Sequence, residues 1–247
     1  MKFLRFLFNT LFCTFQNSTA IDKAFQEARR GFLPPFDENA EHPFQVYDSQ
    51  EVAGDDAWAQ ISRVVDACIN KEDWKMSFQK YPWPKSTALL LDLVVNPQKK
   101  SSKYQLKTIL LVNHLVKFHN KASKKFIDGN QEDVAKAFGL PKPISDRFLE
   151  LFSAPSHDRG NAGFAVSKQH KDKRVIFTLI MYLLAHGKEM KCGSIDQLCK
   201  DMQLETKDAI LLFREAGCKC SKNKSGMVSV SLSVPLTFPP PKRGKKT

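Results

Sequence analysis

The residues best placed to do chemistry in this 247-residue chain are its cations. They fall in clusters: Lys99, Lys100, Lys103 and Lys107; Lys117, Lys121, Lys124 and Lys125; Lys168, His170, Lys171, Lys173 and Arg174; Lys219, Lys222 and Lys224; and a terminal group of Lys242, Arg243, Lys245 and Lys246. Lysine and arginine at this density suit a polyanion, because each interaction with a phosphate releases condensed counterions. A membrane surface is the lesser alternative.

The charge is unevenly placed. The chain has 38 Lys+Arg against 26 Asp+Glu, a formal +12. Residues 1–98 hold 10 and 13, a net of −3, whereas residues 99–247 hold 28 and 13, a net of +15. The polyanion-binding face is therefore expected after residue 98. Apolar residues at 42% indicate a folded protein.

Other chemistries are poorly served. The six cysteines, Cys13, Cys68, Cys192, Cys199, Cys218 and Cys220, are too scattered for a disulfide scaffold. Cys218 and Cys220 lack the two-residue gap of a zinc knuckle, so reduced thiols are expected and no metal. His114 and His119 are five apart on one helix, a poor spacing for a shared ion, and read as surface or packing residues. Trp58, Trp74 and Trp83 read as packing anchors in acidic surroundings. There is no Gly-rich phosphate loop, His-Glu-x-x-His or Gly-x-Ser-x-Gly, so neither catalysis nor a cofactor is expected.

The elements that would position the cations are mostly helical. Residues 31–54 read as a linker, punctuated by Gly31, Pro34, Pro35 and Pro43. Trp58, Ile61, Val64, Val65 and Cys68 predict a helix over 56–69, ended by Asn70. A short helix over 72–80 follows, stopped by Tyr81-Pro-Trp-Pro84. From residue 85 the pattern is strongly helical: a long helix over 103–121, a short one over 131–138 closed by Gly139, and one over 144–152 opened by Pro143. A turn-rich segment, 153–163, and a short strand, 164–168, complete this group.

The same order recurs. A helix over 174–186 ends at Gly187. Ser194 and Gln197 predict a capping box for a helix reaching Met202, and Thr206 is expected to cap a helix ending near Gly217. A hairpin follows: residues 218–220, a turn through Asn223–Gly226, and a strand over 227–234. In that strand Val228, Val230, Leu232 and Val234 alternate with Ser229, Ser231 and Ser233. Three helices and a hairpin, twice, read as a mainly α protein with small β-hairpins: a tandem winged helix preceded by a helical linker region. The expected divisions are 1–31, 32–98, 99–169, 170–238 and a basic tail, 239–247.

Leu33-Pro-Pro35 with Pro43 and Tyr47, the helix pair across Leu89–Lys121, and the end Val230-Ser-Leu-Ser-Val-Pro-Leu236 before a basic tail carry a resemblance. In element order, residues 32–245 resemble the C-terminal half of the forty-nine-kilodalton-class subunit of RNA polymerase I, a tandem winged helix similar to that of TFIIE. The resemblance implies a non-catalytic, DNA-binding polymerase subunit in nucleus and nucleolus, partnered by duplex DNA and the polymerase core. Family members also carry an N-terminal β-rich dimerisation domain. Nothing before residue 32 could form it, which puts the heterodimer contact in doubt.

The third helices of the two groups are not strongly basic. Lys207 and Arg214 share a face but lie beside Asp208 and Glu215, and Arg147 is flanked by Asp146 and Glu150. The expected contacts are therefore to phosphate rather than to bases: Lys168, Lys171, Lys173 and Arg174 between the groups, Lys219, Lys222 and Lys224 on the second wing, with Lys142, Arg147, Lys207 and Arg214 on the third helices. Lys242, Arg243, Lys245 and Lys246 read as a nuclear-localisation address, with a solubilising end as the alternative. A protein-interaction module without DNA binding is the competing function. Residues 1–20 have the outline of a signal peptide, but Arg5 and Asn9 interrupt the apolar run. An alternative first exon, or an amphipathic helix with Phe3, Leu7 and Leu11, is expected there, with a secreted basic protein as the third reading.

Overall fold

The computed structural model describes residues 27–79, 83–158, 161–224 and 226–239. The expectations for residues 1–26 and for the basic tail, with Lys242, Arg243, Lys245 and Lys246, lie outside the described residues.

Helix α1 is Ser49–Ala53, and the Asp48 carboxylate caps it by accepting from the Gln50 amide. Gly54 then turns the chain at φ 75 into α2, Asp55–Ile69. Trp58, Ile61, Val65 and Cys68 form the buried stripe of α2. Helices α3 (Trp74–Gln79) and α4 (Lys85–Asp92) follow.

The first repeat of elements begins with α5 (Lys100–Lys121), then β1 (Phe126–Asp128), α6 (Gln131–Phe138) and α7 (Lys142–Phe152). Asn130 caps α6 by accepting two amides, and Gly139 closes it in the left-handed region. Strands β2 (Ala154–Asp158) and β3 (Asn161–Ala165) complete an antiparallel sheet of order β1-β3-β2. Here the structure corrects the sequence reading, which placed turns over 153–163. Pro155, His157 and Asp158 are poor strand formers. β2 lies at the sheet edge, where a proline need not supply a ladder donor.

The second repeat is α8 (Lys168–Ala185), β4 (Lys191–Cys192), α9 (Asp196–Asp201), α10 (Thr206–Glu215), β5 (Lys219–Lys222) and β6 (Val228–Ser231), with sheet order β4-β6-β5. Val228, Val230 and Leu232 are buried as the alternation predicts, but β6 is shorter than the expected 227–234 and Val234, beyond its end, is only half-buried. Three further local readings change. α8 starts at Lys168, six residues before Arg174, because Ser167 accepts the His170 amide while His170 Nδ1 accepts the Ser167 amide. Gln197 donates to Asp201 instead of closing a capping box on Ser194. Thr206 is the first helical residue of α10 and makes no side-chain cap.

One core runs through both repeats. α5 and α8 pack along their length, and α8 is buried on every face from Arg174 to Ala185. Phe118 and Phe148 (5.4 Å between ring centroids) pack within the first repeat, and Phe152 and Phe177 (5.3 Å) carry the packing across to α8.

Residues before α5 do not behave as a free linker. Leu33, Val46 and Tyr47 are buried, and Tyr47 donates to the Ala216 carbonyl at 2.9 Å. Phe36 packs edge-on against Phe238 at 5.3 Å, and Ser49 and Thr108 share a buried hydroxyl hydrogen bond. Pro34 and Pro35 lie outside regular structure, whereas Pro43 opens a short 3-10 turn, Pro43–Gln45; the apolar anchors fix the segment to the body. Among the described residues no helix is long and apolar enough to cross a membrane.

Candidate nucleic-acid interface

The predicted cations meet different fates. Arg174 is 1% exposed and cannot touch a phosphate. Its Nε donates to His119 Nδ1 at 3.3 Å and its guanidinium lies over the Phe118 ring. Burial without a carboxylate pulls its pKa down to about 10. The sequence reading of Arg174 as a phosphate ligand fails because α8 packs on α5 here, where His119 and Phe118 enclose the side chain. Lys173 is half-buried beside the Phe177 ring, and its pKa is lowered, first by burial and then by Arg147.

On the third helix of the first repeat, every cation already has a partner. Lys142 pairs with Asp146, and Arg147 with Glu150 at 2.8 Å. Arg147 also donates to the Val52 and Glu51 carbonyls, each at 3.2 Å. The guanidinium sits against Gly54, whose missing Cβ leaves room for it. α2 packs along α7, so the N-terminal helices cover this helix. Arg147 is thus spent on holding α7 to the α1–α2 junction.

The third helix of the second repeat is more open. Lys207 and Arg214 are exposed, although Lys207 pairs with Glu205. β5 follows α10 closely: Cys220 Sγ reaches the Ile210 carbonyl, and Arg214 lowers the Cys220 pKa against the larger upward effect of burial. Lys219, Lys222 and Lys224 are exposed on the adjoining hairpin.

Two clusters that are separate in sequence become one in space. The Val166 amide donates to the Lys125 carbonyl at 2.7 Å, and Lys171 Nζ donates to the Ser123 carbonyl. Phe126 pairs with Ala165 in the ladder. The end of α5 and the start of α8 therefore lie side by side, with Lys121, Lys124, Lys125 and Lys168 exposed there and Lys171 half-buried. Lys117 is taken up by the Gly139 carbonyl at 2.7 Å. Its pKa is lowered by burial and by Lys121, the crowding expected of neighbouring cations. Spacing along the chain could not reveal this meeting, because forty-odd residues separate the two segments.

The remaining chemistry is structural. Cys68, Cys192, Cys199 and Cys218 are buried cysteines, and burial raises the pKa of Cys192 and Cys199 to about 11. Among the described residues no group of three or more His, Cys, Asp or Glu could hold a metal ion. His119 bridges Arg174 and the Met202 carbonyl, as a packing residue does. Trp58 is buried, while Trp74 and Trp83 are half-buried against the core.

No curated protein matches the chain. The family model of the A49-like RNA polymerase I associated factors matches residues 14–239, most of the sequence. That match agrees with the resemblance carried by the proline-punctuated segment, the helix pair and the C-terminal strand. A mainly helical body, small antiparallel sheets and a basic C-terminal part accompany it, and this chain belongs to the A49-like RNA polymerase I associated factor family.

Proposed function

We propose that the chain is a non-catalytic, DNA-binding subunit of RNA polymerase I, supporting initiation and elongation of ribosomal RNA transcription in the nucleus and nucleolus. The family membership supports the polymerase and its transcription as the setting. The element order helix–strand–helix–helix–strand–strand, found twice, supports two winged helices, over about 99–169 and 170–238. The observation that carries the DNA reading is the net +15 of residues 99–247, whose lysines among the described residues are mostly exposed. Such a surface holds phosphates without choosing a sequence, which suits a subunit of a machine that moves along its template.

A protein-docking module is the second reading. The cover of α1 and α2 over α7 favours it, since a winged helix in the first repeat would there spend its third helix on protein contact. Binding of the full chain to unrelated duplexes over a range of salt decides between the two. The DNA reading expects similar affinities for different sequences and a steep decline with salt. Absence of salt-sensitive binding would establish the docking module in its place.

A further inference from the structure

We propose that the patch formed where the end of α5 meets the start of α8 is the main grip of this chain on nucleic acid, and that its ligand is duplex DNA held by the phosphates. The inference rests on the DNA-binding reading above and gives that reading a location. Its members are Lys121, Lys124, Lys125, Lys168 and Lys171.

Residues 117–125 and 166–171 contain six lysines and no acid. Lys117 is engaged by the Gly139 carbonyl away from the seam, and Lys171 by the Ser123 carbonyl within it, which leaves four fully open. None of the six forms an ion pair among the described residues, whereas Lys136, Lys142, Arg147 and Lys207 all do. The nearby acids are weak competitors. Asp128 stands at the far end of β1. Asp172 is half-buried, with a pKa raised by burial against the opposing pull of Lys168.

The backbone is firm on both sides. The Val166-to-Lys125 hydrogen bond and the β1–β3 ladder fix the two segments to each other, and α5 and α8 pack together in the core. A charged face on a rigid seam binds without first ordering a loop. The second hairpin, with Lys219, Lys222 and Lys224, carries fewer cations and adjoins a helix holding Asp208 and Glu215.

The duplex assignment follows from what the patch lacks. Single-strand sites stack unpaired bases on aromatic side chains. Phe118 is fully buried, and Phe126, the residue after Lys125, is half-buried in the sheet. Compact ammonium groups without aromatic platforms suit the phosphate line of a duplex.

The test uses the full chain and a labelled duplex, with affinity measured by fluorescence anisotropy between about 50 and 200 mM salt. The variant Lys121→Gln/Lys124→Gln/Lys125→Gln/Lys168→Gln retains Lys171 and its bond to Ser123. Removing one lysine–phosphate interaction lowers the slope of log K against log salt by about 0.9, or about eightfold in affinity at 0.1 M salt. The variant is expected to forfeit about three of them, hence roughly 500-fold. Lys219→Gln/Lys222→Gln/Lys224→Gln is expected to lose less. A patch variant that stays folded and weakens binding under about eightfold overturns the proposal; so does a hairpin variant that weakens it more. Equal, patch-dependent affinity for a single strand overturns the duplex assignment. If the unaltered chain shows no salt-sensitive duplex binding, the DNA-binding reading itself fails instead. Should the fourfold variant not fold, Lys124→Gln/Lys125→Gln in the exposed turn carries the test, with an expected slope reduction of about 1.8.

Discussion

Three histidines make stability steeply dependent on pH just below neutrality. Burial holds His114 at a pKa of about 3, with Lys117 adding to the effect. His119 lies at about 4, lowered by burial and then by Arg174 and Lys171, against a smaller rise from the Met202 carbonyl. His186 lies at about 4 through burial, with Nε2 unpartnered among the described residues. In the unfolded chain each returns to about 6.5. The folded values are depressed, so the unfolded chain takes up protons first. The contribution is complete above pH 6.5 and is lost as pH falls toward 4. Between pH 7.5 and 5.5 each histidine costs about 1.4 kcal/mol, and the three together about 4. That is a large part of a typical folding stability of roughly 5–15 kcal/mol. Asp172, whose pKa is raised by burial, acts in the opposite direction. Urea unfolding at the two pH values measures the difference. His186→Phe should reduce it by about 1.4 kcal/mol whatever it does to absolute stability. A total change below about 1 kcal/mol, or a difference left intact by His186→Phe, would refute the reasoning.

Two further substitutions test features that only the folded chain shows. Arg174→Met removes a buried charge that has no carboxylate partner, so thermal unfolding should show unchanged or higher stability, by up to about 3 kcal/mol. Its salt-dependent DNA affinity should be unaltered, because the side chain is sealed from solvent. Gly163→Ala would drive a Cβ into the Ile127 carbonyl, backbone that cannot move without breaking the β1–β3 ladder, and set it 2.7 Å from the Phe126 ring. A loss of about 3 kcal/mol or more is expected in denaturant melts, and a loss under about 1 would contradict the close approach.

How far the sequence could be read depended on whether a signal was local. Helices α2, α5, α6 and α7 follow from apolar periodicity and from Asn70, Gly139 and Pro143 as punctuation, all within a few residues of the structure. The alternation through Val228, Val230 and Leu232 likewise marked the last strand. β2 was illegible because Pro155, His157 and Asp158 have no strand preference of their own, and pairing with β3 decides the matter. The segment with Leu33, Val46 and Tyr47 looked like a linker because its anchors are single residues without period. Only their burial against the C-terminal part shows that it is structural.

The sequence by itself determined where the positive charge lies along the chain and that a helical framework with the same element order occurs twice. Composition and periodicity are properties of the chain, and these conclusions need nothing more. Tertiary structure alone decided which cations are available. It turned Arg174 inward, set Arg147 to hold α1 and α2 over α7, and brought Lys121, Lys124 and Lys125 beside Lys168 and Lys171. The reason is that a charge acts through its solvent exposure and its neighbours in space, and both are set by how α5 packs on α8.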